Sequence, residues 1–416
     1  MKILTLGEVA TYINGRAFKP EEWEDKGKPI IRIQNLTNSA TVCNRTTKTY
    51  EDKYLIQEGD LLFAWSASLG AHIWHGEDGW LNQHIFKVVP NKCIEKMYLY
   101  FYLLYVVDQL YAKTHGTGMV HITLKPFKET QIPLPSLSEQ KRIVDTIVDL
   151  FADLDKAAEN AKTIIDGYEV RKNTILYQAF IGDLTEEWRK ANGVSEQWDD
   201  CVLLDVLKDK PRNGYSPQPV NYPTKYKSMT LSATTSGTFT PEHFKYIDEE
   251  IPENSHLWMV PGDILIQRAN SLEKVGTSAI YTGGYHEFIY PDLMMKLQVK
   301  DGVSAEFIAY QLKTQTVLTY FRSNATGTAG NMPKINQQVV SSAPMRIPTL
   351  AEQQEIVRIL DELLGNEQRI KEAAEEMLDK IAMMKKSILA DAFRGKLGTN
   401  DPADEPASEL LRQILA

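Results

Sequence analysis

The side chains best suited to recognition chemistry sit in short polar stretches beside β-prone runs. Arg268-Ala-Asn-Ser271 follows the apolar run Gly262 to Ile266, and Arg212, Asn213, Tyr215 and Ser216 form a second polar cluster upstream. Arginine presents a fork of donors that matches guanine. Asparagine or glutamine pairs one donor with one acceptor, as adenine requires. Residues with that task belong on loops supported by strands. Near the start of the chain Arg16, Arg32, Gln34, Asn35, Trp65, Ser66 and Ser68 occupy comparable places. These positions are candidates for contacting base edges or phosphates, and each has a plainer reading. Arg268 can close a salt bridge within its own domain, and Trp65 can be a core residue. Gln83 with His84 can be a buried hydrogen-bonded pair. His115, Thr117 and His121 flank a Gly loop and can brace a helix entrance.

Catalytic signatures are missing from the sequence. It has no Gly-x-x-x-x-Gly-Lys-Ser/Thr phosphate loop, no Asn/Asp-Pro-Pro-aromatic run, no His-Glu-x-x-His and no Gly-x-Ser-x-Gly. The eight histidines do not cluster with carboxylates at metal spacing. The isolated chain is therefore expected to carry no nuclease, ATPase or methyltransferase activity and no metal.

The elements that position the candidate loops follow from an internal repeat. Pro135-Ser-Leu-Ser-Glu-Gln140 returns as Pro348-Thr-Leu-Ala-Glu-Gln353, and Ile175-Leu-Tyr-Gln-Ala-Phe-Ile-Gly182 returns as Ile388-Leu-Ala-Asp-Ala-Phe-Arg-Gly395, both at an offset of 213. Between these anchors apolar or small residues recur at alternating spacings of 4 and 3: Ile143, Ile147, Leu150, Leu154, Ala157, Ala161, Ile164, Tyr168 and Ile175 in the first copy. The second copy has Ile356, Leu360, Leu363, Ile370, Ala374, Met377, Ile381, Met384 and Ile388 in the same register. This is a coiled-coil seam. Arg171 interrupts it where Met384 stands in the other copy, and Glu367 where Leu154 stands. Ser138 and Glu139 open the first helix, and Gly182 and Gly395 are natural stops. Each helix is expected to run unbroken for about 43 residues, roughly 65 Å at 1.5 Å per residue.

Charge follows the same division. The chain has a formal net charge of −9, yet Glu139–Asp200 holds 8 basic against 14 acidic residues and Glu352–Ala416 holds 9 against 14. The remainder is slightly positive. Phe307–Ala351 contains Lys313, Arg322, Lys334 and Arg346 and no acid, and Lys96–Lys128 sets four lysines against Asp108 alone. Acidic helices carrying less acidic modules suit nucleic-acid binding, where phosphate contacts supply most of the affinity. Three cysteines without ligand spacing read as buried thiols in a reducing, cytoplasmic setting. The most apolar run, Tyr98–Val107, has about half the length a bilayer needs and reads as a buried helix.

Residues 1–136 form a mixed domain whose landmarks recur later. Asn14-Gly15 is answered by Asn213-Gly214, both read as turns, and Gly59-Asp-Leu-Leu62 by Gly262-Asp-Ile-Leu265. Ile30–Ile33 reads as a strand ending in the polar loop Gln34–Asn38. The expected boundaries are 1–136, helix 137–184, a second mixed domain 185–347, helix 348–397 and a tail 398–416 closing in a short helix.

At this point the chain resembles the specificity subunit of type I restriction–modification systems, over its full length. His121-Ile-Thr-Leu-Lys-Pro-Phe-Lys128, Ile132-Pro-Leu-Pro-Ser-Leu-Ser-Glu-Gln140 and Ile347-Pro-Thr-Leu-Ala-Glu-Gln353 carry the resemblance. Leu81-Asn-Gln-His84, Arg268-Ala-Asn-Ser271 and Tyr290-Pro-Asp292 add to it. The resemblance implies an α+β architecture with a pseudo-two-fold repeat. Two mixed α/β target-recognition domains, each reading half of a split double-stranded DNA target, are separated by two long helices packed as an antiparallel coiled coil. It also implies no catalytic site and no cofactor in this chain. Two modification (methyltransferase) subunits binding S-adenosylmethionine, and restriction subunits using ATP and Mg, are the implied partners, with no membrane. Two rival readings remain: a coiled-coil adaptor for proteins, and a fused restriction methyltransferase.

If the helices are the ruler between half-sites, deleting one heptad from each keeps the seam in phase. It shortens the rod by about 10 Å, or roughly three base pairs. The expected outcome in methylome mapping is an unchanged pair of half-sites with a shorter gap; an unchanged gap in a folded, DNA-binding variant rules the ruler out.

Overall fold

The computed structural model describes residues 2–38, 41–112, 121–195, 197–327, 332–398, 401 and 403–404. Its contacts divide the chain into two units, Met1–Ala161 with Glu376–Ala416, and Lys162–Glu375. Each unit owns one mixed domain, the foot of one long helix and the far end of the other.

In the first unit a four-stranded antiparallel sheet runs in the order Ala10–Asn14, Ile85–Pro90, Leu61–Ala64, Gly70–Ile73. A second sheet runs in the order Asn44–Thr46, Lys28–Ile31, Gly79–Leu81, Leu55–Ile56 and contains one parallel pairing. Lys2–Thr5 pairs with Gln131–Leu134 just before the first long helix. The second unit repeats the main sheet as Arg212–Asn213, Met294–Leu297, Ile264–Gln267, Ser278–Ile280, and repeats the closing pair as Asp199–Val202 with Pro344–Ile347. Its other sheet has three strands, Pro219–Val220, Phe244–Ile247 and Tyr226–Met229.

The shared landmarks have shared physical causes. Gly59 and Gly262 adopt left-handed conformations, with φ of 82° and 91°. The next residue then caps its own turn: Asp60 accepts from Gln57 N at 2.8 Å, and Asp263 accepts from Val260 N at 3.0 Å. Each aspartate also meets a lysine of the neighbouring strand, Lys87 at 2.7 Å and Lys296 at 3.3 Å. Gly15 and Gly214, expected as turns, instead end strands at close backbone crossings. A Cβ there would lie 2.0 Å from the Asn82 carbonyl oxygen and 2.2 Å from that of Pro291.

Aromatic packing builds the first core. Phe127 packs edge-on to Tyr12 at 4.9 Å and against Phe63 at 4.7 Å. Phe393, at the end of the distal helix, lies against Tyr98, Tyr102 and Tyr105 of the apolar helix Lys96–Ala112. In the second core Phe307, Phe321, Ile335, Val340 and Leu360 cluster with Ile264 and Ile266 of the strand Ile264–Gln267.

The long helices are Leu137–Asp166, continued as Tyr168–Ile181, and Leu350–Phe393. Gly182 and Gly395 end them with φ of 92° and 78°. Within the first unit Lys385 pairs with Asp155, while Glu139 lies beside Gly398. Within the second Gln368 meets Tyr168 at 2.9 Å and Glu352 meets Arg189 at 2.7 Å. Numbers fall on one helix as they rise on the other, so the packing is antiparallel in both units.

Further expectations change. Ser136, not Ser138, caps the first helix, accepting from Glu139 N at 3.1 Å, as Thr349 caps the second. The first helix is interrupted at Gly167, where the Arg171 side chain reaches back to the Ile164 carbonyl at 3.0 Å. Residues 33–37 are a helical turn, because Asn35 accepts from the Arg32 N–H at 3.0 Å. The seam is only partly covered: Ile147, Ala161, Ile356 and Leu360 are buried, while Leu150, Ile164, Ile370, Met377 and Met384 are exposed. Of the cysteines only Cys93 is buried. The expected helix at 408–415, and His115 and Thr117, lie outside the described residues.

Glu352 is fully buried and its Oε1 accepts from Arg189 and Thr185 at 2.7 Å and from Trp198 Nε1 at 3.2 Å. Breaking a buried pair by removing one partner leaves an uncompensated charge. Arg189→Ala is therefore expected to lower stability by about 3–5 kcal/mol, and Arg189→Met with Glu352→Leu to recover most of it, measured by chemical denaturation. A small loss in the single variant contradicts this role.

Candidate nucleic-acid interface

In both units the loop leaving the central strand is braced in the same way. Ile122 N donates to Trp65 O at 3.1 Å, and Ile335 N donates to Arg268 O at 2.8 Å. Ser66 forms a β-bridge with His121, and Ala269 forms one with Lys334. Trp65-Ser-Ala-Ser68 and Arg268-Ala-Asn-Ser271 are thus the same loop bearing different side chains.

The structure sorts the first-domain candidates into engaged and available groups. Arg16 is tied to Glu22 at 2.8 Å and lies over the Tyr50 ring at 4.1 Å. Glu22 is held at about 2, first by the Lys19 backbone N–H and then by Arg16. Asn35 is buried, with its amide spent on Arg32 N and on Thr41 O at 3.1 Å. Ser66 is buried. Trp65 is half-buried, stacked on Phe86 at 5.8 Å and donating to Asn14 Oδ1 at 3.0 Å. These four shape the domain more than they present chemistry. Arg32 and Gln34 instead line a cleft of about 100 Å³ with Asn82 and His84. Burial and the Arg32 charge push the His84 pKa down. Ser68 is exposed beside Ala67, which is held in a left-handed conformation with φ of 59°.

In the second domain Asp292 draws two candidate clusters together. Its carboxylate accepts from the Ser216 hydroxyl, and its carbonyl accepts from Arg268 Nη1 at 3.5 Å. Tyr215 donates to Glu249 at 3.1 Å, and Arg212 pairs with Asp209 at 3.2 Å, both on the exposed surface. Asn213 and Ser271 are exposed, and Asn270 is half-buried beside Gln267.

The acid-free stretch resolves into distinct roles. Arg346 pairs with Asp200 at 3.2 Å, and Arg322 donates to the Glu273 carbonyl at 3.0 Å. Lys313 is partly buried in a pocket of about 230 Å³, where burial pushes its pKa down to about 8. Lys334 forms no ion pair among the described residues and lines an open groove of about 550 Å³ with Thr326 and Met332. Sequence reasoning marked the stretch without singling out Lys334. It quoted Asn82 and Asp292 within the family resemblance but not among the candidate contacts, because their roles depend on neighbours distant in the chain.

These features define a protein built from one recognition scaffold used twice. Residues 1–163 and 198–376 match the type I restriction modification DNA specificity domain, and the chain belongs to that family. It is a DNA-specificity subunit, the non-catalytic component of such systems. It is 23% identical to the EcoKI specificity subunit of Escherichia coli K12, spanning all of this chain and 94% of that one. It is 22% identical to the MjaVIII specificity subunit of Methanocaldococcus jannaschii, over 91% of this chain and 90% of the relative. The fold resembles the HsdS subunit of Thermoanaerobacter tengcongensis, with a TM-score of 0.59, 19% identity and coverage of 95% and 97%. It also resembles a chain of a type I R-M system solved to describe complex assembly and conformational transition, with a TM-score of 0.73, 18% identity and coverage of 95% and 98%. Among the described residues no helix is long and apolar enough to cross a membrane, and no group of His, Cys, Asp or Glu could hold a metal ion.

A phosphate-contacting lysine weakens binding to all sequences alike and contributes about one unit to the salt slope. Lys334→Ala is expected to reduce that slope by about one, and Lys313→Met to leave it unchanged, in DNA-binding titrations against salt. Equal slopes for wild type and Lys334→Ala remove Lys334 from the interface.

Proposed function

We propose that the chain reads a split, asymmetric double-stranded DNA sequence, one half through residues 1–136 and the other through residues 185–347. The observation that carries this is the twice-used scaffold with unlike loops: the same strand order and bracing bonds, but Trp65-Ser-Ala-Ser68 in one domain and Arg268-Ala-Asn-Ser271 in the other. A symmetric protein reads a palindrome; a pseudo-symmetric one with different side chains reads two different half-sites. Arg32, Gln34 and Ser68 in the first domain, and Arg212, Asn213, Tyr215, Ser216, Arg268, Asn270 and Ser271 in the second, are the proposed contact set, with Lys334 as a phosphate contact. Arg16, Asn35, Trp65 and Ser66 support it from beneath.

The proposed partners are two modification subunits, which carry S-adenosylmethionine, and restriction subunits, which use ATP and Mg, in the cytoplasm. Surfaces suited to such partners exist on the helices. Val170, Tyr177 and Ile181 are exposed along a largely apolar groove of about 740 Å³ in the second unit. Met383 and Met384 are exposed in the first. Exposed apolar patches of this kind mark interaction sites.

Replacing residues 1–136 by the matching domain of a relative with another target is the decisive test. The expected methylome shows one half-site changed and the other kept. A change in both half-sites means that the domains read DNA jointly, and a single continuous or palindromic motif in the parent contradicts the split reading.

A further inference from the structure

We infer that Asn270 reads an adenine edge in the half-site of the second domain, and that the buried Gln267 fixes the orientation of the Asn270 amide for that purpose. The inference rests on the DNA-reading role proposed above and adds the base and the device.

Two backbone groups of unambiguous polarity determine the orientation of both amides. The Ser271 N–H donates to Asn270 Oδ1 at 2.7 Å, so that atom is the acceptor and Nδ2 the donor. Nδ2 then donates to Gln267 Oε1 at 2.6 Å. That leaves Gln267 Nε2 as a donor, which it is, its two N–H groups shared among three acceptors: the Leu231 carbonyl at 2.9 Å and the hydroxyls of Thr234 at 2.9 Å and Thr235 at 3.1 Å. Gln267 is wholly inaccessible and Thr234 nearly so. A bond chain anchored at both ends on the backbone cannot flip one member without leaving like groups facing each other. Asn270 is half-buried, and after these bonds it keeps one N–H and one lone pair. That donor–acceptor pair is the complement of adenine N7 and N6–H in the major groove.

The first domain lacks the whole device. By the shared bracing bonds and strand register, Ala64 stands where Gln267 does and Ala67 where Asn270 does. The two alanines have no polar group to orient. An adenine contact at this loop therefore belongs to one half-site only.

The test uses the full chain reconstituted with its cognate modification subunits. Wild type, Asn270→Ala and Gln267→Met complexes select from random-sequence duplex DNA, and melting temperatures are recorded alongside. Asn270 is partly exposed, so its alanine variant folds. Gln267→Met keeps side-chain length, and the Leu231 carbonyl retains the Thr234 N–H at 3.1 Å and the Thr235 hydroxyl at 2.9 Å. Wild type is expected to require an A·T pair at one position of the second half-site. Asn270→Ala should cut that preference about tenfold or more while the first half-site stays intact. Gln267→Met should relax the same position although Asn270 is unchanged. A purely structural role for Gln267 predicts something else: weaker binding to every sequence with the selected pattern kept. That result, or an Asn270→Ala pattern identical to wild type, overturns the inference and leaves the DNA-reading role standing. A wild-type complex that selects no second half-site overturns both.

Discussion

A buried glutamine at the foot of each long helix holds the molecule's logic together. Gln140 Nε2 donates to the Pro135 and Cys93 carbonyls at 3.1 Å, and its Oε1 accepts from Glu95 N at 2.8 Å. Gln353 repeats the clamp, with Pro348 O at 2.9 Å and Ser304 N at 2.9 Å. One side chain thus joins the end of the closing strand, the first turn of the long helix and the entry to an earlier helix of the same domain. Both glutamines are inaccessible to water, where an unmade bond costs about 1–3 kcal/mol. The bonds are short-range and directional, so the angle at which a domain meets its helix is set by backbone geometry rather than by adaptable apolar packing. The surface a recognition domain offers then depends on its loops, since its mount is the same in both copies.

The mount is conserved between the copies and the loops are not, and the difference has a physical basis. Gly59 and Gly262 must reach positive φ, Gly15 and Gly214 must admit a crossing carbonyl, and Asp60 and Asp263 must cap a turn and hold a lysine. Those tasks admit few residue types. Beyond the central strand only backbone bonds brace the loop, and backbone bonds tolerate any side chain. Trp65 and Arg268 therefore occupy one structural position with unrelated chemistry.

The two residues that break the apolar seam illustrate how the units diverge. Arg171 and Glu367 lie on different helices and pair at 2.7 Å within the second unit. The same guanidinium also accepts the role of capping the Ile164 carbonyl where Gly167 interrupts the helix. Leu154 and Met384 hold the matching positions in the first unit. A partly exposed pair of this kind adds little stability, but it restricts which register two otherwise slippery seams can share.

Local sequence was enough to establish the repeat, the helical period, the glycine stops and the matched strand landmarks, because each is a property of neighbouring residues and their spacing. The α+β class and the antiparallel helices followed from the repeat and the family resemblance together. Tertiary structure decided which polar residues remain available. Arg16 and Asn35 have the right chemistry for a DNA contact, but Glu22 and Thr41 engage them. Lys334 and Lys313 look alike in sequence, yet one is exposed along an open groove and the other is partly buried in a smaller pocket. The meeting of Arg171 with Glu367 was also invisible, since the two stand almost 200 residues apart; the break at Gly167 is local, and the seam spacing ran across it without showing it. Periodicity is written locally; whether a donor is already spent depends on what the fold brings beside it.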